Sequence, residues 1–184
     1  LIAKSLLAQM NKEYPSPIRL VQFANLQMQL DEHQPAYQLL NELAKKHPNS
    51  PDSRFMLELH GNLGHAANHL GKLDLALNHW LDATKWAQLF GNKQQIAVVA
   101  FNLADIYDQL QDYQNAGIHF KKAITIAEQA GDKVKANQAR FHLIQVLIKQ
   151  SLNCQAQGIF QTLDTTKLPQ SDIYQDTEFK QHFV

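Results

Sequence analysis

Cysteine is almost missing from this chain of 184 residues: Cys154 stands alone. An internal disulfide is therefore excluded, and the redox compartment stays open. Net charge is missing too, because 17 Lys and Arg balance 17 Asp and Glu. No global field draws in nucleic acid or an anionic membrane, so neither is expected as a partner of this segment. Long apolar runs are absent; the longest, Ile96 to Ala104, is interrupted by Asn102 and falls far short of a membrane span. The first residues show no cationic segment followed by an apolar run and a small-residue cleavage site. Leu1 reads as lying inside a helix, so the chain is expected to be an excised fragment or a mature segment. Glycine and proline are scarce, at 7 and 6 residues placed mostly at turns, which favours an almost wholly helical chain. At 45% hydrophobic and 18% charged residues, there is ample material for a core.

What the chain does have is a forty-residue echo. Leu63, Leu103 and Leu143 recur at that step, as do Ala76, Ala116 and Ala156, and the aromatics Trp80, Phe120 and Phe160. Ala83, Ala123 and Leu163 keep it as well. A period of this size marks a stacked array of helix pairs. In the second full repeat, Leu63, Ala67 and Leu70 form an i, i+4, i+7 stripe, as on a helix with one buried face. Gly71-Lys72-Leu73-Asp74 breaks it, with Gly71 suited to the left-handed residue beyond a helix end. Ala76, Trp80, Ala83, Ala87 and Phe90 then form the seam of a second helix, closed by Gly91-Asn92. The next repeat copies this with Leu103, Tyr107 and Leu110, a turn at Gln111-Asp112, and Ala116, Phe120, Ala123, Ala127 and Ala130 before Gly131-Asp132. The last has Leu143 and Leu147, a turn near Ser151-Leu152-Asn153, and Ala156, Phe160 and Leu163. Upstream, Phe23, Ala24 and Ala36 keep the step, and Pro48 stops the second helix of that repeat.

These spacings divide the chain into the second half of a repeat at 1–15, repeats at 16–50, 51–92, 93–132 and 133–168, and a short capping helix at 169–184. Ala3, Leu7 and Met10 share one face of the opening half-repeat; Ser171 would cap the final helix, with Ile173, Phe179 and Phe183 as its apolar face. Ser16-Pro17 and Ser50-Pro51 read as N-caps followed by proline in the first turn. Residue sizes alternate: Gly64, Ala76 and Ala83 let two helices approach, while Trp80 or Phe120 fills the gap to the neighbouring pair. Ile144 takes the place of the small residue in the last repeat, so its second helix is expected to pack less closely.

The run Asn62-Leu63-Gly64, Ala67, Leu70-Gly71, Ala76, Trp80 and Ala83 resembles the tetratricopeptide repeat. So does Asn102-Leu103-Ala104 with Tyr107, Leu110, Tyr113, Ala116, Phe120 and Ala123, and the likeness runs from Leu1 to about Thr166. Six extra residues follow the 34-residue consensus in the first full repeat. The longer version is similar to repeats of bacterial regulators of the MalT, PlcR and CadC kind and of kinesin light chain. The resemblance implies an all-α fold, a right-handed α/α superhelix of antiparallel helix pairs whose first helices line a concave groove.

On that expectation, one inward stripe holds Asn62, His65 and His69 and the next holds Asn102, Asp105 and Gln109, each at i, i+3, i+7. Phe101, Phe141, Gln145 and Lys149 extend the surface, with Asn25 and Met28 at the other end. In similar repeats an Asn just before the Leu-Gly or Leu-Ala pair contacts a bound peptide backbone, which singles out Asn62 and Asn102. An amide donates and accepts, so it can read an extended chain without demanding a sequence. The alternative is that Asn merely suits a half-exposed helical position. A clamp for a C-terminal carboxylate would need several Lys and Arg, whereas the face shows Asp105, Asp108 and only Lys149. A neutral or basic peptide fits better. His65 and His69 lie i, i+4 with His60 and His79 near in sequence, but no Cys pair or His-Glu-x-x-His run accompanies them. No metal or cofactor is expected, and the histidines read as a solvated polar face. No nucleophile elbow, phosphate loop or dinucleotide fingerprint appears, so no enzyme is expected. Two functions remain: a protein- or peptide-binding module, or the ligand-sensing domain of a bacterial signalling protein or transcription regulator. A bare repeat end also invites a second copy to dock, giving a homodimer.

Overall fold

The computed structural model describes residues 16–48 and 50–164, together with positions 5, 9 and 166. The opening half-repeat, apart from positions 5 and 9, and the capping helix expected at 169–184 lie outside the described residues. Among these residues there are eight helices and no strand: α1 (Pro17–Gln29), α2 (His33–Lys46), α3 (Ser53–His69), α4 (Leu73–Phe90), α5 (Lys93–Gln109), α6 (Tyr113–Gln129), α7 (Lys133–Lys149) and α8 (Asn153–Phe160). None of them is long and apolar enough to cross a membrane. The fold is all-α, as the composition and period imply.

Two compact units divide the chain, Leu1–Gly91 and Asn92–Val184. In the first, α1 packs on α2, α2 on α3, and α3 on α4. Its core gathers Val21, Leu40, Leu43, Phe55, Leu59 and Leu63. In the second, α5 packs on α6, α6 on α7, and α7 on α8, around Phe120, Phe141, Leu143, Ile144, Val146 and Leu147.

Each turn within a pair is made by the backbone. The residue after the first helix takes a left-handed conformation at Asp31 (φ 59), Gly71 (φ 68), Gln111 (φ 62) and Ser151 (φ 59), four positions forty apart. The next N–H then reaches back five residues in every case, from Glu32, Lys72, Asp112 and Leu152 to the carbonyls of Gln27, Ala67, Tyr107 and Leu147, at 2.9 Å each. This is the bond that closes a Schellman-type helix end. Gly71 occupies its expected place, and three side-chain-bearing residues accept the same strained φ where glycine would sit more comfortably.

Helix starts follow their own forty-residue register, which the sequence reading missed. Asp52, Asn92 and Asp132 accept hydrogen bonds from the backbone N–H of Phe55, Gln95 and Lys135 at 3.0, 3.2 and 2.9 Å. The cap of α3 is therefore Asp52 and not Ser50, whose Oγ instead accepts from the Asp52 N–H at 3.3 Å. Ser16 does precede α1 with proline in its first turn, but its side chain makes no cap bond.

The pairs close through complementary sizes. A Cβ built on Gly64 would lie 2.7 Å from Trp80 Nε1 and 2.8 Å from its Cε2. The indole fills the space that the glycine leaves, and is only 3% exposed. Forty residues on, Ala104 and Phe120 are both fully buried in one cluster. In the last pair Ile144 is buried and Phe160 only half-buried, the looser arrangement that a branched side chain in the small position produces. Phe90 departs from its expected seam: it is 37% exposed at the end of α4, where the helix runs out beyond the core.

The end of α8 also differs from expectation. The helix stops at Phe160 after 8 residues, whereas α4 and α6 run for 18 and 17. Leu163, expected on this helix, lies beyond it, still packed against the core. The Thr162 hydroxyl donates to the Ile159 carbonyl at 2.7 Å and competes with helical bonding. Asn137 of α7 holds the exit segment. It is 2% exposed; its Nδ2 donates to the Asp164 carbonyl at 2.6 Å and its Oδ1 accepts the Asp164 N–H at 2.8 Å. Leu57 and Ala97 fill the matching places on α3 and α5, so the buried amide is peculiar to α7 and requires an unwound backbone to satisfy it.

Three outcomes test this account. Gly64→Ala should destabilise the fold by about 1–3 kcal/mol through overpacking, and adding Trp80→Phe, which recreates the Ala104–Phe120 combination, should recover part of that loss in urea unfolding. Asn137→Ala should cost about 1–3 kcal/mol by stranding the Asp164 backbone groups, with faster hydrogen exchange at the Asp164 amide. Gln111→Gly should raise the unfolding free energy by up to about 1 kcal/mol by relieving the positive φ.

Candidate functional site

In the first unit, Asn62, His65 and His69 share one side of α3, but each is engaged differently. Asn62 is half-buried, and its Nδ2 donates to the Glu58 carbonyl of its own helix at 2.7 Å. Its amide oxygen makes no bond to another described residue. His65 is exposed and stands edge-on to Trp80, with ring centroids 4.8 Å apart. His69 is exposed and stacks flat on His33 of α2 at 4.2 Å. The rings turn to separate partners while both stay exposed. Asn25 is exposed and Met28 half-buried on α1.

His60 and His79 do not join that face. They lie between α3 and α4, with centroids 5.8 Å apart. His60 Nδ1 is 3.8 Å from Asp82 Oδ2. Burial pushes His60 below its ordinary pKa, opposed by the Asp82 carboxylate and reinforced by Lys85. Burial likewise lowers His79, to about 4, with His60 acting in the same direction and Asp82 opposing. Among the described residues no three His, Cys, Asp or Glu side chains converge as a metal site would require.

In the second unit the face is carried by α5 and α7. Asn102 is half-buried and makes no side-chain hydrogen bond to any described residue, unlike Asn62. Asp105 accepts a hydrogen bond from Gln109 at 2.8 Å. Lys149 donates to both oxygens of Asp108, at 2.8 and 2.7 Å, and so neutralises it. Gln145 is half-buried nearby on α7. Phe101 is half-buried, edge-on to Phe120 and to His142, with Lys135 Nζ 4.8 Å from its ring centroid. Phe141 corrects the sequence reading. At 3% exposure it belongs to the core and offers no ring to a ligand, because neighbouring α7 side chains are buried on nearly all sides.

The sequence reading missed His142, which stands forty residues after Asn102 and eighty after Asn62. It lies flat on Phe120 at 5.6 Å and edge-on to Phe101 at 5.1 Å. The period itself could have found it. A separate open cleft of ≈ 320 Å³ in the same unit is lined by Glu128, Lys133, Asn137, Arg140 and Asp164 among others. Its Arg140 is paired with Glu128, and it shares no residue with the α5–α7 face.

Residues 55–129 match the family model described as tetratricopeptide repeat. No curated protein matches the chain. Among solved structures, the apo form of RapI is similar over 87% of this chain and 60% of its own, with TM-score 0.75 and 17% identity. A Rap protein complexed with Competence and Sporulation Factor is similar over 79% of this chain and 41% of its own, with TM-score 0.68 and 18% identity. A STAND signal-transduction ATPase with a tetratricopeptide repeat sensor, from Pyrococcus horikoshii, is similar over 86% of this chain and 25% of its own, with TM-score 0.76 and 15% identity. The chain thus spans 60% of RapI and smaller shares of the other two. At such identities the likeness shows the fold alone, one typical of protein–protein interaction modules and generally non-enzymatic. Over residues 55–129 the recurring helix pair matches the tetratricopeptide repeat.

Proposed function

We propose that the chain binds an extended peptide or protein segment on the first-helix face of a unit, with Asn102 as the leading backbone contact in the second. The observation that carries this reading is the unengaged amide of Asn102. Its polar atoms remain open to solvent and bound to no described residue, so they can exchange water for a ligand's N–H and C=O without first breaking a bond within the protein. It offers two donors and an acceptor, suited to a backbone and indifferent to sequence. Asn62 plays a lesser part, because one of its two N–H donors is already given to the Glu58 carbonyl of its own helix.

Charge refines the ligand. Lys149 is held by Asp108, and Lys135 lies over the Phe101 ring and donates to Gln138, so the described cations of the second unit's face are already engaged, while Asp105 contributes a negative charge. A neutral or basic segment suits it. The second reading, a sensory domain of a bacterial signalling protein, is supported by the likeness to a STAND protein bearing a tetratricopeptide repeat sensor and to a Rap protein complexed with Competence and Sporulation Factor. The two readings part on the intact polypeptide: an output domain whose activity responds to the bound segment favours the sensor.

Screening a library of uncharged and lysine-containing decapeptides should yield binders that protect α5 and α7 from hydrogen exchange. Against the best binder, Asn102→Ala should weaken affinity by roughly 5–30-fold, the worth of one or two hydrogen bonds, with Tm nearly unchanged. Asn62→Ala should cost less. A large fall in Tm with unaltered affinity would make Asn102 structural and overturn the reading.

A further inference from the structure

The joint between the first two helix pairs of the first unit carries four imidazoles beside the apolar core of Leu40, Leu43, Phe55 and Leu59. His33 opens α2 and lies flat on His69 of α3, with planes 3° apart. One turn further along α2, Tyr37 meets His79 of α4 edge-on at 6.2 Å. His79 faces His60 of α3. The Nδ1 atoms of His33 and His60 are both buried without a hydrogen-bond partner. Aliphatic side chains in these places would seal the joint at any pH. The imidazoles of His60 and His79, held below their ordinary pKa by burial, do so only while they are neutral.

The groups around His60 and His79 give a second proton nowhere to go. From α2 the neighbour is Tyr37, whose ring has Lys72 Nζ 5.1 Å from its centroid. From α4 they are Asp82 and Lys85. Asp82 is the one carboxylate set against this pair among the described residues, and Lys85 already donates to it at 2.7 Å. The first imidazolium would share an occupied carboxylate; the second would add a like charge with no counter-ion in a partly desolvated joint.

We propose that this joint is an acid-operated release: protonation of His60 and His79 undocks α2 from α3 and α4, freeing the first helix pair from the second within the same unit. The second unit supplies an internal contrast. His119 repeats His79 forty residues on, but Ala100 stands where His60 would recur, and His119 stacks on Tyr107 at 5.4 Å. Its joint therefore lacks the facing imidazole. The release acts independently of whether a peptide occupies the first-helix faces.

Linkage fixes the pH window. Burial lowers His79 from 6.5 to about 4 and lowers His60 as well. A histidine held below its unfolded pKa supports the docked state fully above pH 6.5. That support fades as pH falls toward the folded value, and below it no more is lost.

Hydrogen exchange of the whole chain tests this at pH 7.5 and 4.5, corrected for intrinsic rates. Amides of α1 and α2 should lose roughly tenfold or more of their protection at the lower pH, reversibly. His79→Gln and His60→Gln should each shrink that loss, whereas His119→Gln should leave it intact. Unchanged protection of α1 and α2 in the unmodified chain would overturn the proposal, and so would an equal loss in His79→Gln. Should a substitution itself undock the pair at neutral pH, NMR titration of the unmodified chain decides. Titration of the His79 ring that leaves the Tyr37 resonances unmoved overturns the release; coincident changes support it.

Discussion

The close approach of α3 and α4 at Gly64 is the contact on which the second helix pair rests. A Cβ at position 64 would lie 2.7 Å from Trp80 Nε1, so any side chain there would force the indole to shift. The absence of an atom on one helix is thus matched by the largest side chain on the other. Dispersion between such surfaces is lost steeply once a gap opens, which is why the matching pairs Gly64–Trp80 and Ala104–Phe120 change size together. Where Ile144 breaks the rule, its aromatic partner is left half-buried. That looser pair needs another anchor, and Asn137 supplies it through the Asp164 backbone.

Most of the fold could be read in the residues, because it is written in period and size. The helix pairs, the left-handed Gly71 and the buried Trp80 and Phe120 all follow from spacing. What failed depends on local competition. Ser50 looked like the cap of α3 because proline follows it, yet Asp52 is placed to reach the Phe55 N–H. Phe90 continued an apolar stripe, but the helix outran the core beneath it. The stop of α8 at Phe160 comes from a buried amide 23 residues upstream of it in sequence, a tertiary cause that no window on α8 could reveal.

The face residues were less legible. Asn62 and Asn102 occupy equivalent places, and only the rotamer distinguishes the one that bonds back to its own helix from the one that does not. The histidines form no single cluster, because i, i+4 spacing fixes the side of a helix and leaves the partner across the gap undetermined. His65 found Trp80, His69 found His33, and His60 found His79. Phe141 was taken for surface because its helix was assumed to have one buried side, whereas α7 lies between α6 and α8 and is covered on both. Of the charges on the face, Asp108 and Lys149 pair with each other.

The corner after each first helix has a wider consequence. Its donors and acceptors lie within six consecutive residues, as from Ala67 to Lys72, and none is a side chain. Such a corner is copied whole whenever the segment is copied, so tandem duplication can lengthen the chain without inventing a new bend. The same self-sufficiency lets different residues stand at the left-handed position, at some conformational cost, as Asp31, Gln111 and Ser151 do. Chains only 15–18% identical to this one share its fold: the same geometry is reached with different letters.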